Sequence, residues 1–383
     1  MWLTKHYLQA SLIIFLIGTF LYLFNVINLF SQTSTSLELL NKPINIFQAV
    51  KFNNDHNEFS IFLDKEPLNP SATVGFWGDV MLARNVELLS DIKGKNYSFL
   101  QISSLFKKNN FNFINFEGTI TKNHQRTKSG IMRFDISKGI IPTLAETGIT
   151  HVSLANNHAL DYGLTNFNLT KETLTAEKIT SFGHPTLIDN NSITYLNLGK
   201  YKLAVLALQT LFTNPITKDL ENIFKVMQNN SDLQIVYVHW GDEYQVLHNK
   251  AQEDLAKELV FLGADLIIGH HPHVVQDIQL VNNIPVFYSL GNTIFDQYFS
   301  LAVEEGYSVN LSLVANKLII KLVPFTSADR HSQPRLMTDL ERVNFLINLS
   351  EKSDQTLQAN IRQGKLIFPS SSPQSNATLT TIR

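Results

Sequence analysis

The sequence predicts an α/β fold preceded by a transmembrane helix. Three observations carry that prediction. From residue 72 onward, apolar runs of strand length alternate with segments of helical periodicity. Residues able to bind metals or move protons recur directly after those apolar runs, at the edge where open α/β sheets hold their ligands. Near the N-terminus lies an uncharged stretch of more than twenty residues.

That stretch is almost wholly apolar over residues 12–24 and continues past Asn25 through Val26-Ile27-Asn28-Leu29-Phe30. It is long enough to cross a bilayer core. Lys5 lies on one side, and the first charge on the other is Glu38. The positive-inside bias then predicts a single-pass protein of the cell membrane, N-terminus cytoplasmic and main domain extracytoplasmic. No small-x-small cleavage site directly follows, so an uncleaved anchor is expected rather than a signal peptide. The expected organisation is an anchor at residues 1–32, a stalk and lead-in segment at 33–70, and a main domain at 71–300. Strands and a helix at 301–350 complete that domain, and a weakly structured tail follows at 351–383.

Composition narrows the chemistry. With 383 residues the chain can bury a substantial core. A net charge of -2 shows no basic excess, so no nucleic-acid partner is expected. There is no cysteine, which excludes disulfides, thiolate ligands and cysteine nucleophiles. Any metal must be held by His, Asp, Glu or Asn.

Short strands are expected at 44–50 and 59–63. The apolar run at 72–77 leads into Gly78-Asp79-Val80-Met81, which places Asp79 at a strand end; Arg84 follows as a plausible anion contact. A helix interrupted near Gly94 is predicted over 85–106. Residues 111–116 form a strand ending at Glu117, a carboxylate that must face water or meet a cation. Residues 119–133 carry Lys122, His124, Arg126, Lys128 and Arg133, either a face for an anionic substrate or a solvated loop. A helix broken by Pro142 is predicted over 134–147.

A strand at 149–154 delivers Asn156-Asn157-His158 and Asp161. An Asn oxygen can ligate a metal, and a histidine oriented by a carboxylate can donate a proton. Asp161 could equally cap the following helix, at 164–179, and His151 inside the strand reads as structural. A hairpin at 193–198 and 203–208 turns at Gly199-Lys200. A helix at 218–227 precedes a strand at 233–238 that carries His239-Trp240-Gly241-Asp242-Glu243-Tyr244. A helix at 252–261 leads to Gly269-His270-His271-Pro272-His273, three imidazoles after another apolar strand. Neutral imidazole suits Zn and Fe. A strand at 286–290 reaches Gly291-Asn292 and Phe295-Asp296. Residues 307–314 and 317–323 pair through Ala315-Asn316, and a helix covers 340–349.

Five strand ends therefore present donors: Asp79, Glu117, Asn157 with His158, His239, and His271 with His273. That many O and N donors would suit two metal ions.

Six motifs in order resemble the bacterial capsule-synthesis family known as CapA, the poly-gamma-glutamate biosynthesis family, over roughly residues 73–297. They are Gly78-Asp79-Val80-Met81, Asn115-Phe116-Glu117, Ala155-Asn156-Asn157-His158 with Asp161-Tyr162-Gly163, the His239 motif, Gly269-His270-His271-Pro272-His273-Val274, and Ser289-Leu290-Gly291-Asn292 with Phe295-Asp296. The resemblance implies a calcineurin-like metallophosphoesterase fold: layered α/β, two mixed sheets flanked by helices. It implies metal ligands Asp79, Glu117, Asn157, His239, His271 and His273, binding one or two divalent ions (Mn, Fe or Zn). It implies His158 as the acid, with Asp161 as its orienting partner. His270 and Arg84 are expected to contact substrate. Two departures stand out. Met81 replaces the imidazole usual two positions after the first aspartate, and Glu117 stands where an Asp is usual.

The implied function is capsule or poly-gamma-glutamate biosynthesis at the outer face of the cytoplasmic membrane, through a metal-dependent hydrolase-like site. The alternative is a non-catalytic accessory subunit that binds or guides the chain. Either implies an anionic extracellular polymer as partner, with membrane-bound synthase or export subunits.

Overall fold

The computed structural model describes residues 72–212, 215 and 217–369. All belong to the unit spanning Leu68–Arg383. The strands expected at 44–50 and 59–63 lie outside the described residues, as does the span at 12–24. Among the described residues no helix is long and apolar enough to cross a membrane. The fold class is corrected accordingly: a layered α/β domain in which no described element spans a membrane. The single-pass topology, the outer-face placement and the membrane localisation inferred from that helix are not supported.

Two mixed sheets form the frame. In the first, Thr73–Val80 pairs in parallel with Phe111–Phe116, which is followed by His151–Ser153 and Thr180–Phe182. On its other side Thr73–Val80 meets Glu305–Val314 antiparallel, and Lys317–Thr326 follows. In the second sheet Tyr201–Gln209, Leu233–His239 and Leu266–His270 run parallel, with Ile284–Phe287 beside them. Ile193–Leu198 and Ile278–Val281 close its edges antiparallel.

The apolar runs follow from burial on both faces. Along Tyr201–Gln209, Leu203, Val205 and Ala207 enter the core between the sheets, while Ala204, Leu206 and Leu208 meet the helices outside. Period-two alternation of side chains requires both sets to be apolar. The central core includes Val74, Phe76, Phe113, Ile235, Tyr237, Ile268 and Phe287. Helices Ile141–Thr147 and Gly163–Ala176 cover the first sheet's outer face, through Ile141, Leu144, Phe167 and Leu174 packed with Trp77 and Ile114. Helices Thr217–Asn230 and Lys250–Leu262 cover the second, through Phe224, Met227, Ala256 and Leu259. The layering is helix, sheet, sheet, helix, as the metallophosphoesterase resemblance implied.

Several local expectations change. Pro142 does not break a helix over 134–147. It stands in the first turn of Ile141–Thr147, where its missing N–H costs nothing, and Asp135–Ile136 is a short strand. The helix expected over 85–106 ends at Lys93 and resumes only as a 3-10 turn, Tyr97–Phe99, and the short Ser103–Phe106 helix. Residues 351–369 are not weakly structured: Lys365–Pro369 pairs antiparallel with Lys317–Thr326. Leu366 is fully buried there, which gives that short segment an apolar anchor. Ala315 and Asn316 both adopt positive φ, 48° and 60°, the geometry of a tight two-residue hairpin turn.

Candidate metal centre

The five site-bearing strands run parallel within their sheets, so their carboxyl ends converge. Thr73–Val80 carries Asp79 past an irregularity in its register with Phe111–Phe116. The preceding Gly78 is required by close approach: a Cβ there would sit 1.8 Å from the Gly291 carbonyl oxygen. Asp79 is completely buried. Asn115 Nδ2 donates to its Oδ1 at 2.7 Å, and the His271 backbone N–H donates to Oδ2 at 3.1 Å. His273 Nδ1 lies 3.3 Å from Oδ2, and His270 Nδ1 3.7 Å from Oδ1. Burial opposes the charge on Asp79, but the hydrogen bond and charge of His273, then His270 and Asn115, hold it below the usual carboxylate range.

Glu117 is equally buried, and its Oε1 accepts from Asn115 Nδ2 at 3.1 Å. Burial, and then the neighbouring Asp79, push its carboxyl well upward. His239, the last residue of its strand, places Nε2 2.9 Å from Asn157 Oδ1 and Nδ1 2.9 Å from His270 Nδ1. Burial, followed by the surrounding imidazoles, lowers His239; burial also brings His270 to about 4 and His271 to about 3. These rings are therefore neutral, the form that ligates metal. His271 and His273 hold φ of 101° and 59°, a left-handed backbone that non-glycine residues rarely adopt. Such strain persists where the surroundings impose it, commonly at functional sites.

Three groups of side chains each bring ligand atoms within 4.8 Å of one another: Asp79, His239 and His270; Asp79, Glu117 and His273; and Glu243, His271 and His273. These clusters can coordinate a divalent metal. Glu117 Oε2, His270 Nε2 and His271 Nδ1 are buried with no hydrogen-bond partner among the described residues. Two buried carboxylates among imidazoles with unpaired nitrogens fit a cation, which would satisfy what hydrogen bonds leave open.

His158 stands beside this cluster. Its Nδ1 lies 3.0 Å from Asp161 Oδ2, and its ring packs on Phe134 at 4.1 Å between centroids. Asp161 also accepts the Phe134 N–H at 2.7 Å. Its carboxylate faces His158 and Phe134 rather than capping the following helix, which has no side-chain cap.

Two residues expected at the substrate are buried. His270 is fully buried within the cluster, where its Nδ1 faces His239 Nδ1 at 2.9 Å and Asp79 Oδ1 at 3.7 Å. Arg84 is also buried, and its guanidinium pairs with Asp296 and lies over the Phe134 ring. Met81 supplies no imidazole; its sulfur accepts the Ala83 N–H at 3.1 Å within the core.

Three contributors stand in the motifs above without an assigned role. Asn115 bridges Asp79 and Glu117 and also lies 3.2 Å from His239 Nδ1. Its signal was an amide inside the apolar run Phe111-Asn112-Phe113-Ile114-Asn115-Phe116. Glu243 joins His271 and His273; its signal was a carboxylate four residues after a strand-end histidine. Asn292 Oδ1 lies 2.9 Å from His273 Nδ1.

The family model described as bacterial capsule synthesis protein PGA_cap matches residues 73–297, more than half of the chain. The chain belongs to this family. Within it, the chain is 32% identical over 254 residues to the capsule biosynthesis protein CapA of Bacillus anthracis, covering 60% of this chain and 61% of that protein. It is 30% identical over 242 residues to the PGA biosynthesis protein CapA of Bacillus subtilis, covering 59% and 63%. The alignments thus span less than two thirds of these relatives' length. Among solved structures, a hypothetical protein from Thermus thermophilus is similar at 16% identity, covering 66% of this chain and 97% of that one, with a TM-score of 0.44.

Proposed function

We propose that the chain acts in capsule or poly-gamma-glutamate biosynthesis through a metal-dependent hydrolase-like site. One observation carries the catalytic part. His158 is held at Nδ1 by Asp161, and the adjacent Asn157 directs its oxygen to His239 inside the metal-binding cluster. A site that only stored a structural ion has no need of an oriented imidazole beside it. The names of the Bacillus relatives supply the biosynthetic context.

Asp79, Glu117, Asn157, His239, His271 and His273 are the proposed ligands, joined by His270 and Glu243. Sharing of Asp79 and His273 between clusters suits two adjacent positions. The O and N donor set fits Mn, Fe or Zn. Such an ion supplies Lewis-acid polarisation of a phosphoryl or acyl oxygen and lowers the pKa of water. The chain's own contribution is positional. Asp161 fixes the tautomer and orientation of His158, so that Nε2 presents a proton to the departing atom. The strained His271–His273 loop holds the His273 imidazole and the His271 N–H against Asp79.

The proposed partners are an anionic polymer and the synthase or export subunit that handles it. Polymer production in cells carrying His158→Ala tests the reading. Loss of production, with the purified variant retaining its metal, is the expected result. Undiminished polymer of unchanged length would overturn catalysis and leave a chain-binding accessory role.

A further inference from the structure

The loop 121–133 presents a cationic surface. Lys122, Arg126, Lys128 and Arg133 are exposed, and no acidic residue lies among them. Such a run is ordinarily a solvated face, but three observations separate this one. First, it borders an open cleft. Lys122, Arg126 and Lys128 line a cavity of about 420 Å³ together with Asn123, Tyr162 and Asn166. That volume falls within the range of ligand clefts, about 300–1,000 Å³.

Second, two of its cations are uncommitted. Lys122 and Lys128 form no ion pair with any described residue, and Arg126 lies 3.6 Å from the half-exposed Asp91. The one carboxylate in the lining, Asp135, is buried, with its Oδ2 hydrogen-bonded. It accepts from Thr121 Oγ1 at 3.0 Å and the Gln125 N–H at 2.9 Å, and it faces His124 Nδ1 at 3.0 Å. These bonds also pin the loop, as does Thr127, which bridges the Arg133 carbonyl and the Asp135 N–H.

Third, the cavity is tied to the proposed acid. Arg133 Nε donates to the Asp161 carbonyl at 2.9 Å, and its guanidinium lies 4.6 Å from the centre of the Tyr162 ring, a cavity wall. The neighbouring Phe134 N–H holds the Asp161 carboxylate that orients His158.

We propose that the 121–133 cavity is an anion subsite that seats a carboxylate-rich stretch of polymer beside His158. The choice of a carboxylate polymer rests on the function proposed above; the subsite itself rests on the cleft, the unpaired Lys122 and Lys128 beside Arg126, and the link to Asp161.

Titration calorimetry on the metal-loaded full chain, with a γ-linked glutamate octamer as probe, tests it. Binding that weakens with salt is expected. Lys122→Gln/Arg126→Gln/Lys128→Gln should weaken it about tenfold or more with metal content unchanged. All three side chains are exposed, so the variant should fold; Lys122→Gln/Lys128→Gln, which removes no ion pair, serves as the second variant. Wild-type affinity in both variants would overturn the subsite. Binding of polyphosphate but not of the octamer would overturn the carboxylate assignment. The two readings fail separately. Octamer binding lost with the cations, alongside unchanged polymer production in His158→Ala cells, keeps the subsite and sinks the hydrolase. No octamer binding by the wild type, alongside lost polymer in those cells, does the reverse.

Discussion

At the scale of single residues, Asn115 governs the centre as much as any ligand does. Its amide nitrogen contacts Asp79 and Glu117 and lies within 3.2 Å of His239. Its oxygen accepts from Asn156 Nδ2 at 3.0 Å. Asn156 in turn accepts the His158 N–H at 3.0 Å through its own oxygen. One buried amide thus joins the metal cluster to the loop carrying the acid. Partners that orient ligands are worth about 10–100-fold in metal affinity. Asn115→Leu, close in size but without polar atoms, should therefore weaken metal binding by about that factor in a chelator competition. His271→Ala/His273→Ala should abolish stoichiometric metal by elemental analysis. Full metal content in that double variant would refute the ligand assignment.

At the scale of elements, the His151–Ser153 strand illustrates a titratable group with a structural role. The His151 ring stacks on Phe113 with centroids 4.3 Å apart, and its Nδ1 lies 2.8 Å from Thr150 Oγ1. Burial lowers its pKa from 6.5 to about 4. Above pH 6.5 the ring is neutral both folded and unfolded, and the shift has no effect. As pH falls below 6.5 the unfolded chain takes up the proton first, so stability drops until the folded ring also titrates near 4. The loss reaches at most about 3 kcal/mol. His151→Phe removes this proton uptake while keeping the stacked ring. The variant should lose less stability than the wild type between pH 6.5 and 4, as followed by urea denaturation at several pH values. Parallel curves for the two proteins would contradict the assignment. The same strand also shows how far local pattern reaches: an imidazole inside an apolar run read as structural, and it packs that way.

At the scale of the whole molecule, the centre lies where two sheets meet. Asp79, Glu117 and Asn157 come from the first sheet's strand ends; His239, His270, His271 and His273 come from the second's. A metal bound there would tie the sheets together across unsatisfied donors. Binding to the folded state alone adds about 2.7 kcal/mol when the ion stands at a hundred times its Kd. Chelation of the full chain should therefore lower Tm by roughly 5 °C in scanning fluorimetry. His271→Ala/His273→Ala should show no such shift. Equal chelator sensitivity in the double variant would place the stabilising ion elsewhere.

Alternating apolar runs and the donors following them determined the α/β class, the five site strands and most of the side chains that meet in the clusters. Those features are local: burial on both faces demands continuous apolar residues, and a donor after a strand sits at the sheet edge whatever lies beyond. Six ordered motifs carried the family for the same reason, since each is a short contiguous string. The tertiary structure decided the partners. Arg84 meets Asp296, His270 turns inward to His239, Asn115 joins two carboxylates, and Glu243 reaches His271 and His273. It also made Lys365–Pro369 a strand, because the neighbour that pairs with it is brought alongside only by folding. These contacts link residues far apart in the chain, and their distances depend on how one sheet stacks on the other. Spacing along the sequence does not encode that stacking. The apolar N-terminal run met the length rule for a membrane span, but length and hydropathy describe what a segment can do, and no described element of the fold takes up that role.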